Sequence, residues 1–150
     1  MGAHRWFHPA PDQRLVTPPA LLAAVAAGGA AGAVLRHLLG VWSPDGSGFP
    51  WTVFAINVVG SLVLALLPAL AVVRRRETLA VALGPGVLGG FTTLSATSEQ
   101  GRALLADGRP ALAATYLLGT LAACLVAVAV ASLWVGGAER ARFAEEGGGA

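Results

Sequence analysis

The stretch GVLGGFTTLSATSEQ, residues 86 to 100, lies within the third of four apolar segments and carries three glycines, five hydroxyl side chains and an acid. A segment that only had to cross lipid would need none of these. With Gly84, Pro85, Gly86, Gly89 and Gly90 in close succession, the sequence predicts a helix interrupted within the membrane. Irregular backbone at that depth survives only where protein buries it or where it lines a watery cavity. A break frees carbonyls that attract cations and N–H groups that attract anions.

The rest of the chain sets this segment in a bilayer. The 150 residues are 55% hydrophobic and 12% charged, with a mean hydropathy of +0.68, too apolar for an ordinary soluble domain. Four windows reach the roughly 20 apolar residues that a spanning helix needs: Leu21–Val41, Val53–Val73, Leu79–Leu105 and Pro110–Val135. The first follows a polar, proline-rich start and runs too long for a secretory leader, so it reads as a true span. The expected organisation is a polar tail over 1–18, a four-helix transmembrane unit over 19–136 and a mobile tail over 137–150. Trp42, Trp51 and Trp134 stand where interfacial anchors belong, and Trp6 lies in the first tail. The single cysteine, Cys124, excludes an internal disulfide. His4 and His8, on the polar tail, read as solvated side chains rather than a metal pair.

All ten basic residues are arginines. Four spans put Arg5, Arg14, Arg74, Arg75, Arg76, Arg140 and Arg142 on one side and Arg36, Arg102 and Arg109 on the other, so the positive-inside rule predicts cytoplasmic termini in the cell membrane. This distribution accounts for the basic pI without nucleic acid as a partner. No nucleophile and base stand together, so the sequence reads as no enzyme.

Within the spans, Gly28 and Gly32 form a small-xxx-small pair that admits a close helix neighbour. Arg36 either snorkels to the headgroups or joins a polar network. Asn57, buried in the second span, is either inter-helix glue or part of a polar pathway. Tyr116, Thr120 and Cys124 repeat at a spacing of four and share a helix face, although such hydroxyls also bond their own i−4 carbonyls. Thr92, Thr93, Ser95, Thr97 and Ser98 add donors without a mid-span acid or histidine. Donors in excess of anionic groups suit a small, strongly hydrated anion whose water they replace.

Taken together, GGAAGAVLRHLL, INVVGSL and GVLGGFTTLSATSEQ resemble the CrcB/Fluc fluoride channel family, over nearly the whole chain from about residue 21 to 135. The resemblance implies an all-α membrane protein whose four-helix subunits form an antiparallel dimer. It also implies two fluoride pathways and a central structural sodium ion held by backbone carbonyls, here at Gly89 and Thr92. The family's pore asparagine matches Asn57, and its fourth-helix polar track matches Tyr116, Thr120 and Cys124. Two family phenylalanines are replaced by Leu94 and Thr97, which leaves Phe91 as the nearby aromatic. The family's glutamate matches Gln100, with Glu99 adjacent, and a family threonine is Val53 here.

The expected function is fluoride export from the cytoplasm, where HF entering from an acidic exterior dissociates. A small proton-coupled multidrug exporter is the alternative, but it needs a membrane acid, and none lies between Leu21 and Val41. Another reading is a poorly conducting subunit. The seven-to-three arginine split favours one orientation and pairing with a related, oppositely oriented subunit, although a homodimer would satisfy the same fold.

Overall fold

In a bilayer, helices satisfy their own backbone, and the alanine- and leucine-rich runs of this chain do so four times. The computed structural model describes residues 19–147, so the first tail, with His4, His8, Trp6, Arg5 and Arg14, lies outside the described residues. Four helical stretches are long and apolar enough to cross a membrane: Pro19–Trp42, Trp51–Ala69, Glu77–Ala106 and Pro110–Gly136. The elements are α1 (Pro19–Trp42), α2 (Trp51–Leu66), α3 (Ala71–Arg74), α4 (Glu77–Val81), a π-helical segment (Ala82–Leu88), α5 (Gly89–Phe91), α6 (Leu94–Ala106) and α7 (Pro110–Gly147). Proline opens α1 and α7, where its missing N–H costs nothing.

The second span ends earlier than hydropathy predicts. Leu67–Ala69 tighten into a 3-10 turn containing Pro68, and Leu70 is extended. Val73 therefore sits buried in the following turn rather than at the end of the span. Helix α7 continues through Gly147, past the expected end of the channel unit at residue 136.

The largest departure from expectation is at the glycines, which do not interrupt the helix. Around Pro85, which cannot donate and crowds the carbonyl four residues back, the backbone widens into the π-helical segment and continues. The glycines serve close packing instead. A Cβ on Gly32 would overlap the Val87 carbonyl oxygen, and one on Gly90 would overlap the Gly29 carbonyl. One on Gly86 would stand 3.2 Å from the Gly28 Cα. Lipid tails are as apolar as any side chain, so helix association relies on such backbone approach. Helical geometry is lost further on, at Thr92 (φ −73°, ψ 153°) and Thr93 (φ −153°, ψ 114°), before α6 resumes.

The loop between α1 and α2 folds back on the bundle. Asp45 accepts the N–H groups of Thr52 at 2.7 Å and Val53 at 3.2 Å, meeting donors that a helix N-terminus leaves free. Phe49 packs edge-on against Tyr116, with ring centroids 5.4 Å apart, and Tyr116 forms a buried cluster with Leu104 and Ala113. Trp42, Trp51 and Trp134 are largely exposed at the ends of their spans, as anchors require. We predict that Gly32→Val, which meets backbone rather than a yielding side chain, destabilises the protein by about 3 kcal/mol or more. Gly40→Ala, which meets nothing within 4 Å, should shift stability by less than about 1 kcal/mol; thermal unfolding in detergent compares the two.

Candidate functional site

Once Thr93 leaves the helix, its N–H no longer points at the Gly89 carbonyl. It donates to Asn57 Oδ1 at 2.8 Å. The Asn57 amide returns the contact, donating to Thr97 Oγ1 at 2.9 Å, Thr93 O at 3.3 Å and its own Val53 O at 3.0 Å. Asn57, Thr93 and Thr97 are all buried. Asn57 thus fastens α2 to the non-helical residues, and it also lines a cleft.

That cleft, of about 450 Å³, is lined by Asn57, Thr93, Leu94, Thr97, Thr120 and Cys124 among others. Residues from three spans, more than sixty positions apart at the extremes, converge there. Its lining includes no carboxylate and no cationic side chain. Most of its threonine hydroxyls are occupied internally: Thr97 donates to Thr93 O at 3.0 Å and Thr120 to Tyr116 O at 2.6 Å. Thr92 donates to Leu88 O at 2.9 Å. An anion entering the cleft would draw these hydrogens away from carbonyls into charge-assisted bonds, which are roughly twice as strong as neutral ones.

The other residues singled out from the sequence fall in different places. The Tyr116 ring is fully buried in the cluster beside α6, and its hydroxyl has no hydrogen-bond partner. Ser95 is exposed and pairs with Thr93 Oγ1 at 3.0 Å, while that same Thr93 oxygen caps α6 through the Ala96 N–H at 3.1 Å. Phe91 is buried against Gly60 and lines a separate apolar groove with Leu39, Trp42 and Ile56. Leu94, at the cleft's edge, is 81% exposed.

A second, more polar cleft of about 380 Å³ adjoins the first, and Thr93 lines both. It contains Arg36, His37, Asp45 and Gln100. Arg36 Nε is buried there without a partner, while Asp45 is committed to the α2 N-terminus. Glu99 faces away and pairs with Arg102 at 2.6 Å, so of the two neighbouring residues Gln100 is the one that reaches the cleft. The sequence reading missed Phe49 and Asp45, and it counted Arg109 only as a charge, although Arg109 Nη1 donates to Ser47 O. The only advance signal was the aromatic and acidic content of a short loop.

Replacing Asn57 with alanine strands the buried Thr93 N–H without its acceptor. We expect Asn57→Ala to cost about 1–3 kcal/mol, measured as a lower unfolding midpoint in detergent.

Comparison with known proteins follows the same residues. Residues 23–132 match the family described as CrcB-like protein, Camphor Resistance (CrcB). The chain is similar to the fluoride-specific ion channel FluC of Agrobacterium fabrum, with 42% identity across 71% of this chain and 89% of the relative. It is also similar to fluoride-specific ion channel FluC 1 of Streptomyces coelicolor, at 40% identity over 77% of both chains. FluC 2 of Nocardia farcinica shares 40% identity over 81% of this chain and 91% of its own length.

Proposed function

The chain belongs to the CrcB family, and we propose that it is a subunit of a fluoride-selective channel that lets the anion leave the cytoplasm. The observation that carries this reading is the neutral cleft in which Asn57, Thr93, Thr97 and Thr120 converge. Fluoride is small and tightly hydrated, so a path for it must supply donors in place of water and hold no competing negative charge. Amide and hydroxyl hydrogens meet the first demand, and the lack of a carboxylate in the lining meets the second. The same lack leaves proton-coupled drug export without a proton carrier in this cleft. The buried, unpartnered Tyr116 hydroxyl adds a donor beside the path.

The finer architecture follows as part of the same proposal. Thr92 and Thr93 form the mid-membrane break. The diverted Thr93 N–H leaves the Gly89 carbonyl without its helical donor, and the extended ψ of Thr92 turns its carbonyl out of the helical direction. Two neutral backbone oxygens from each of two subunits would suit a hard monovalent cation such as sodium, which would supply a fixed positive charge at the centre of the dimer. The exposed Leu94 is where an oppositely oriented copy would close the cleft, as an antiparallel dimer requires. The arginine bias favours cytoplasmic termini and a related partner subunit. Leu94 and Thr97, in place of aromatic residues, mark this chain as the weaker conducting partner in such a pair.

Two measurements test these statements. Liposomes containing the purified protein should release fluoride, and chloride should not follow; chloride flux equal to fluoride flux would overturn selectivity. Asn57→Asp, which sets a negative charge in the cleft, should abolish fluoride efflux while the protein remains folded. For the cation site, Gly89→Val should lower dimer yield by about tenfold by crowding the carbonyls where two subunits would meet, since within the subunit its Cβ meets only the Gly84 carbonyl oxygen, at 3.9 Å. Thr92→Ala, which keeps the carbonyl, should do much less, and equal tolerance of the two would count against this placement.

A further inference from the structure

Between the end of α2 and the start of the third span lies another cleft, of about 470 Å³, whose lining includes Leu64, Leu67, Ala80 and Gly84, with Arg74 and Glu77 at its polar end. Glu77 opens α4 and Gly84 lies seven residues further along, so the cleft runs roughly 10 Å down the span at about 1.5 Å per residue. That is the depth range occupied by a headgroup and the first carbons of an acyl chain. The arginine run adjoining it exceeds what helix termination uses. Arg74 Nη1 donates to Pro68 O at 2.6 Å and Ala69 O at 3.2 Å. This holds the guanidinium at the cleft mouth and leaves its Nε and Nη2 hydrogens for another acceptor. Arg75 and Arg76 are exposed beside it. Against these three cations stands one acid, Glu77, which leaves residues 67–84 with a net charge of +2.

We propose that this cleft binds an anionic phospholipid, with its phosphate against Arg74, Arg75 and Arg76 and the start of one acyl chain over Leu64, Leu67 and Ala80. Charge selects the occupant: a zwitterionic lipid would bring its ammonium group into a positive rim, whereas a lipid with an uncharged polar head beyond the phosphate brings only the anion. A basic run that merely fixes orientation needs no cavity beneath it, and here the cavity and the fixed guanidinium coincide. The site shares no lining residue with the Asn57 cleft and does not depend on whether the subunit conducts.

Native mass spectrometry of the detergent-solubilised protein, incubated with equal amounts of phosphatidylglycerol and phosphatidylcholine, tests the assignment. Phosphatidylglycerol adducts should exceed phosphatidylcholine adducts by about tenfold. The double substitution Arg75→Gln/Arg76→Gln changes only exposed side chains and should remove that excess. Ala80→Trp, which fills the cleft but keeps every arginine, should also lower phosphatidylglycerol retention several-fold. Equal binding of the two lipids, or undiminished phosphatidylglycerol binding in either folded variant, would overturn the proposal; in the second case Ala80→Trp would show that a diffuse charged belt, not the cleft, holds the lipid.

Discussion

A backbone N–H released from a helix and buried away from water needs another acceptor, and Thr93 finds it in the Oδ1 of Asn57. Everything around the cleft follows from that bond. It fixes the extended path of Thr92 and Thr93, which re-aims α6 so that Thr97 can accept from the same amide. It also draws α2 against the third span at a point where two leucines would have packed but could not have satisfied the peptide. An amide suits this task because it both accepts and donates, so one side chain serves the freed N–H and a neighbouring carbonyl.

The close approach of α1 to the third span makes this arrangement rigid. Gly28, Gly29 and Gly32 meet Gly86, Val87 and Gly90 through backbone atoms, so neither helix can slide without collision. The buried cluster of Leu104, Ala113 and Tyr116, with Phe49 packed against it, does the corresponding work for α6 and α7. Between these two fixed contacts the clefts sharing Thr93 are held open rather than collapsed.

Much of this was legible in the sequence. Hydropathy located four spans to within a few residues, because a bilayer demands apolar length before anything else. Asn57 stood out because an amide there must have a partner. The glycines, however, pointed to the wrong place for the loss of helical geometry. Glycine permits both a break and a close contact, and only the neighbouring helix decides which; here α1 takes up the contact and the helix persists as π turns. Phe91 stands three residues before Leu94 and six before Thr97 in the sequence. Two extended residues intervene between Phe91 and Leu94 and reset the helical phase, so Phe91 turns into a groove with Trp42 while Thr97 turns towards Asn57. Tyr116 shared a spacing with Thr120 and Cys124, yet its ring found a larger apolar surface beside Leu104. Periodicity fixes direction around an axis but not which neighbour stands there.

The neutrality of the main cleft has an energetic consequence for the cell. With no acid, lysine, arginine or histidine in the lining, an anion that passed through this cleft as proposed would cross as an uncompensated negative charge. Its movement would then be driven by membrane voltage as well as by concentration. An interior held 100 mV negative would favour the outward step by about 2.3 kcal/mol per ion, enough for the resting potential to hold the cytoplasmic level of such an anion well below that outside.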